Sequence, residues 1–269
     1  LRNRSPAREP CADAVNAARR KRWLRVVAWL TALLLAVTAS VVALSTRAGL
    51  FEPEPYTPSD ELEKALALVP RIEHGRSLYQ AQCARCHGAE SWGSDTDGRT
   101  PALAGQHYQC LVKQIADLRR AAPAQDRGAF HLATLQVLRD EQAIADVSAY
   151  LSGLTPNPRP RVGRGDRIQL GGDTYDWLCR GCHEDSGEGD AIFFTPRISA
   201  QHYEYLLQQL DDFAAGHRLN VPPELLGYAW ALSSEERAAL ADYVSRLTAS
   251  APPARSVEPL EVSTEKKNP

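Results

Sequence analysis

Two five-residue runs hold the side chains best suited to chemistry: Cys83-Ala-Arg-Cys86-His87 and, 96 residues further along, Cys179-Arg-Gly-Cys182-His183. In each, two thiols separated by two residues are followed at once by a histidine. One helical turn brings both sulfurs to the same edge and delivers the imidazole beside them. Thiols so placed can add to the two vinyl groups of a haem, while the histidine takes the iron from one side. Structural zinc, a redox dithiol or a disulfide are the alternatives for a bare C-x-x-C pair. None of them needs a histidine directly after the second cysteine in both copies.

The elements that must position these runs repeat as well. Arg71-Ile72 and Gly75 through Tyr79 precede the first run as Arg167-Ile168 and Gly171 through Tyr175 precede the second. Downstream, Pro101 and Gln106-His107-Tyr108 match Pro196 and Gln201-His202-Tyr203. Apolar side chains then recur at helical spacing, at Tyr108, Leu111, Val112, Ile115 and Leu118 and at Tyr203, Leu206, Leu207, Leu210 and Phe213. A closing helix is expected to begin near Asp140 in one copy and Ser234 in the other. It carries Val147, Tyr150, Leu151 and Leu154, or Leu240, Tyr243, Val244 and Leu247. A glycine and an aromatic residue in each first helix suit a close crossing with the last. The repeat predicts two homologous helical domains, 71–155 and 166–248, joined by a Pro/Gly-rich linker over 156–165.

Length permits this division, since 269 residues accommodate two domains of roughly 100 residues with accessory segments. A net charge of −2, with charges scattered, gives no case for nucleic-acid binding. Residues 26–44 are an uncharged, mostly apolar run of 19, long enough for a membrane-spanning helix and longer than the apolar core of a cleaved signal. Eight Lys or Arg against two acidic residues precede it, which predicts a cytoplasmic basic segment over 1–25 and exported residues beyond it. Cleavage after Ala39 or Ala43 is the alternative. Residues 45–70 read as a stalk and 249–269 as a disordered tail. Cys11 and Cys110 then fall on opposite sides of the membrane and cannot pair. No methionine occurs, position 1 included, so the chain is expected to lack its natural start or to begin at an unusual one.

Taken together, G-x-x-x-Y-x-x-x-C-x-x-C-H, a following P-x-(L/I)-x-x-Q and a closing aromatic-(Leu/Val) helix make each half resemble a class I cytochrome c domain. The tandem pair is similar to the di-haem cytochrome c-four family. The resemblance implies all-helical domains, two covalently attached haem c groups held by Cys83, Cys86, Cys179 and Cys182, and His87 and His183 as iron ligands. It also implies that the Pro101 and Pro196 carbonyls accept a hydrogen bond from those imidazoles. Such domains normally supply a distal methionine, and this chain has none. His131 occupies the corresponding place in the first domain and is expected to be the sixth ligand; Leu225 occupies it in the second and cannot ligate. His217 is the nearest substitute there. His107 and His202 are expected to be solvated, His74 exposed, and Cys110 a small buried side chain.

Residues 71–155 carry nine basic and nine acidic side chains, and 159–248 carry nine and fourteen, so the second domain is the acidic one. The resulting expectation is a single-pass protein of the bacterial inner membrane with periplasmic haem domains. It would pass single electrons from a quinol-oxidising complex to an oxidase or reductase. A haem enzyme or small-ligand sensor using an open face on the second haem is the alternative.

Overall fold

The computed structural model describes residues 57–94, 96–120, 137–218, 220, 221 and 223–250, together with 23, 27–31, 33, 34 and 135. The chain divides into two units, 1–54 and 55–269, and both cysteine runs lie in the second. Among the described residues no helix is long and apolar enough to cross a membrane. The run 26–44 falls largely outside those residues; the part that is described, 27–31, 33 and 34, is helical.

Ten helices build the second unit as described. They are α1 (Asp60–Leu66), α2 (Ile72–Gln82), α3 (Ala84–His87), α4 (Tyr108–Arg120), α5 (Glu141–Ser152), α6 (Ile168–Leu178), α7 (Arg180–His183), α8 (Tyr203–Ala214), α9 (Pro223–Ala231) and α10 (Ser234–Ser245). The described residues contain no strand; Asp190 and Thr195 form an isolated antiparallel bridge. The helix starts follow from capping. The Asp140 carboxylate accepts from Ala143 N at 2.8 Å, and Ser233 with Glu236 closes a reciprocal capping box.

The order α2, α3, α4, α5 recurs as α6, α7, α8, α10, so the helical part of the repeat is realised element by element. In each half the first helix crosses the last at a glycine. A Cβ on Gly75 would lie 2.0 Å from the Asp146 carbonyl oxygen, and one on Gly171 would lie 2.1 Å from that of Ala239. Only a residue without a side chain permits this approach. Beside each crossing two tyrosine rings pack, Tyr79 on Tyr150 with centroids 5.6 Å apart and Tyr175 on Tyr243 at 5.4 Å.

The first core gathers Tyr79, Leu111, Val112, Leu138, Ile144, Val147 and Leu151. Leu62 and Ala65 of α1 belong to it too, so part of the segment expected as a stalk is built into the first domain. The second core is smaller, centred on Tyr175, Leu206, Leu232, Leu240 and Val244. A third cluster, Phe213, Leu226 and Ala229 with Val221 and Leu225 against it, joins α8 to α9, a helix the repeat does not announce. The segment 156–165 does not behave as a free spacer. Asn157 is buried and donates to Trp92 O at 3.2 Å, the Arg161 carbonyl accepts from Tyr203 N at 2.9 Å, and Gly165 N reaches Asp242 at 2.6 Å.

Candidate functional site

Each cysteine run forms one short turn at the end of the half's first helix. His87 N and Cys86 N bond to Cys83 O at 3.0 and 3.1 Å; His183 N and Cys182 N bond to Cys179 O at 2.9 and 3.2 Å. The turn is anchored from below by the buried tyrosine of the preceding helix. Tyr79 Oη donates to Gly88 O at 2.6 Å and Tyr175 Oη to Glu184 O, the residue directly after each histidine. Burial raises the Tyr79 hydroxyl to about 12, so it stays protonated and able to donate.

Cys83 and Cys179 are half-buried and Cys86 and Cys182 exposed, and none of the four is in a disulfide. Before attachment, burial pushes Cys83 up to about 11 and Cys179 up to about 12, so the bare polypeptide presents both as neutral thiols. Both histidines make the same contact: His87 Nδ1 lies 3.0 Å from Pro101 O and His183 Nδ1 lies 3.0 Å from Pro196 O. A carbonyl only accepts, so the proton sits on Nδ1 and the lone pair on Nε2. Burial lowers the His183 pKa against the opposing pull of that hydrogen bond, which favours the neutral, metal-ligating form. Two thiols on one turn and an imidazole fixed in the iron-binding tautomer fit a covalently attached haem in each half. Among the described residues no three His, Cys, Asp or Glu side chains converge as a metal cluster.

Comparison with known proteins agrees with this chemistry. Residues 72–155 match the cytochrome c family. The chain is 31% identical over 180 residues to cytochrome c4 of Azotobacter vinelandii, an alignment covering 62% of this chain and 85% of that protein. It belongs to the cytochrome c4 family. Two covalently attached haem c groups follow from that membership and from the two complete attachment runs. A thiosulfate dehydrogenase electron acceptor of Stutzerimonas stutzeri is likewise 31% identical, over 175 residues, with 61% of this chain and 78% of that protein covered. The reduced recombinant cytochrome c4 from Pseudomonas stutzeri superposes with a TM-score of 0.59 at 25% identity, covering 66% of this chain and all of that one. These relatives make the chain an electron-transfer cytochrome in broad class.

Away from the cysteine runs, the structure revises several sequence-based expectations for this c4-type chain. His202 is fully buried and His107 half-buried, where both were expected to be solvated. Their Nε2 atoms lie 2.7 Å from Trp92 O and Glu188 O of the opposite half, because the start of α4 and of α8 lies on the surface where the halves meet. His74 is exposed, as expected, but has a partner: its Nδ1 lies 2.6 Å from the buried Asp146 carboxylate. His217 is exposed and faces Asp212 at 3.7 Å. Leu225 packs into the aliphatic cluster of α8 and α9. Cys110 is buried, with its thiol pushed up to about 12. His131 and Cys11 lie outside the described residues.

The glutamine beside each of these histidines escaped the sequence reading as a functional residue. Gln106 and Gln201 bond to the backbone of Arg197 and Ala102 in the opposite half. Their signals in the sequence were recurrence, a polar Gln-His pair in both copies where an apolar stripe begins, and their place as the closing Gln of P-x-(L/I)-x-x-Q.

Proposed function

We propose that the chain is a membrane-anchored di-haem electron carrier of the bacterial periplasm. It would accept single electrons from a quinol-oxidising complex and deliver them to a terminal oxidase or a periplasmic reductase. The observation that carries this reading is the matched pair of histidine contacts, Nδ1 to proline carbonyl at 3.0 Å in both halves, each directly after a vinyl-reactive cysteine pair. When bound, each haem supplies an iron that takes up and releases one electron. The protein's part is to hold it: Cys83, Cys86, Cys179 and Cys182 as thioethers, His87 and His183 as iron ligands, and Pro101 and Pro196 as the acceptors that orient the imidazoles. No side chain needs to break or make a substrate bond. The name of the S. stutzeri relative, a thiosulfate dehydrogenase electron acceptor, supports a redox protein as partner.

The anchor rests on the apolar run 26–44 and its basic flank. Trp29, Leu30, Leu33 and Leu34, apolar and mostly exposed on described helical residues, support a lipid-facing surface there. In the first half His131 is the proposed sixth ligand. Leu225 favours a second reading for the other half: an aliphatic side chain packed among Phe213, Leu226 and Ala229 offers no lone pair. An open face on the second haem would then serve small-ligand sensing or catalysis.

Haem-stained denaturing gels test the carrier reading. The signal is expected in the membrane fraction, at two haems per chain. It should halve in Cys83→Ala/Cys86→Ala, halve in Cys179→Ala/Cys182→Ala, and vanish when both pairs are replaced. Haem that is extracted by acid would contradict covalent attachment.

A further inference from the structure

The two halves meet through a crossed pair of contacts that reaches the histidine supports. Pro101 O, which accepts from His87 Nδ1 at 3.0 Å, belongs to the same peptide unit as Ala102 N. That N–H donates at 2.9 Å to Gln201 Oε1 of the other half, whose Nε2 returns a bond to Ala102 O at 3.0 Å. The mirror arrangement is complete. Pro196 O lies 3.0 Å from His183 Nδ1, Arg197 N donates at 2.9 Å to Gln106 Oε1, and Gln106 Nε2 donates to Arg197 O at 2.8 Å. Each glutamine oxygen also accepts from the next residue's own N–H, His107 N at 2.9 Å and His202 N at 3.0 Å, so both amides are held in one orientation. Gln201 is 8% exposed.

We propose that Gln106 and Gln201 are crossed positioning residues: each sets, from its own half, the hydrogen-bond strength at the iron-ligand histidine of the other. The physical basis is cooperativity through one peptide group. A peptide whose N–H is donated to a good acceptor carries more negative charge on its carbonyl oxygen and accepts more strongly in turn. A stronger acceptor on Nδ1–H makes the imidazole a more basic ligand and favours the oxidised iron. The relay His87 to Pro101–Ala102 to Gln201 thus lowers the potential of the first haem from the second half. His183 to Pro196–Arg197 to Gln106 does the reverse. Such a link makes docking of the halves part of the redox tuning, so loosening the interface changes both potentials without any change of ligand.

The inference rests on the di-haem carrier reading, and its test separates the two. In the full-length, haem-loaded protein, the midpoint potential of each haem is measured, with each haem assigned through the NMR signals of its ligand imidazole. Gln201→Ala should raise the potential of the His87 haem and leave the His183 haem in place. Gln106→Ala should do the opposite. Each should change the equilibrium distribution of one electron between the haems by about two- to fivefold, less than the effect of removing a group that bonds the ligand directly. Gln201→Glu keeps the shape and the acceptor, guards against a misfolded alanine variant, and should lower the His87 haem relative to the other. Shifts confined to the haem of the mutated half, equal shifts in both, or no shift with His87 and His183 still ligating would overturn the crossed relay. Loss of the His87 and His183 signals from the unmutated protein would instead remove the carrier reading itself.

Discussion

The two halves hold their cysteine runs in the same way and differ in which positive-φ positions carry a side chain. Gly88, with φ +79°, follows the first run; Glu184, with φ +61° and ψ 179°, follows the second. Gly105, with φ +71°, donates its N–H to Leu151 O at 3.0 Å; Ala200, with φ +58°, donates likewise to Leu247 O. At these two places the second half has side chains where the first has glycine, in a region that costs L-residues of order 1–3 kcal/mol; at Ser91, with φ +60°, it is the first half that has the side chain and the second that has glycine, Gly187 at φ +72°. A conformation kept despite that cost shows that the turn around each histidine is imposed by its surroundings, the tyrosine anchor and the proline carbonyl, and not by local preference. The halves also part company at the helix crossing. Asp146 in the first half, fully buried, accepts from Arg71 N at 2.6 Å, Gln142 at 2.7 Å and His74 at 2.6 Å, where the second half has Ala239.

The largest effect should come from what the halves share. Gly75→Ala and Gly171→Ala each drive a methyl into a backbone carbonyl and should cost ~3 kcal/mol or more, read by denaturant unfolding. A much smaller loss in one half would mean that its crossing is not the fixed contact described.

These crossings were legible beforehand because glycine and tyrosine recur at matching places in a helical pattern, and a close helix approach needs a residue without a side chain. The attachment runs and the capped starts of α5 and α10 were legible for the same reason, their physics being local. The crossed glutamines were not. A polar residue at a helix start has many solvated roles, and its partner lies about 90 to 100 positions away, where periodicity says nothing about which surfaces meet. For the same reason α1 read as stalk, though Leu62 and Ala65 fill the first core.

A smaller effect should be confined to the first half. Asp146→Asn weakens a buried set of charge-assisted bonds and should cost about 2 kcal/mol. The same group sets a pH dependence. Burial acts to raise the Asp146 pKa, but the bonds from Arg71 N, Gln142, His74 and the Arg71 side chain outweigh it and hold it below the usual carboxylate range. A depressed folded pKa stabilises the protein above the unfolded value of about 3.9, and that contribution is lost as pH falls through the folded value. Acid unfolding of the wild type should therefore include a step that Asp146→Asn removes, monitored by circular dichroism at falling pH.

Smaller still, Glu184→Gly should stabilise the second half by about 1 kcal/mol, since glycine adopts this backbone region freely while gaining entropy in the unfolded chain. The reverse change, Gly88→Ala, should cost a similar amount in the first half. Its Cβ would meet Gly93 O at 3.5 Å, an ordinary contact, so backbone strain alone is read. A stability gain at position 184 with no loss at position 88 would break the correspondence between the two turns.

The comparison reaches function in the proposed sixth ligand, where by sequence His131 of the first half corresponds to Leu225 of the second. Carbon monoxide titration of the fully reduced, full-length protein tests it most directly. One haem per chain, the one proposed at His183, is expected to bind carbon monoxide, with binding suppressed in Leu225→Met. Two low-spin, six-coordinate haems that ignore carbon monoxide would contradict it.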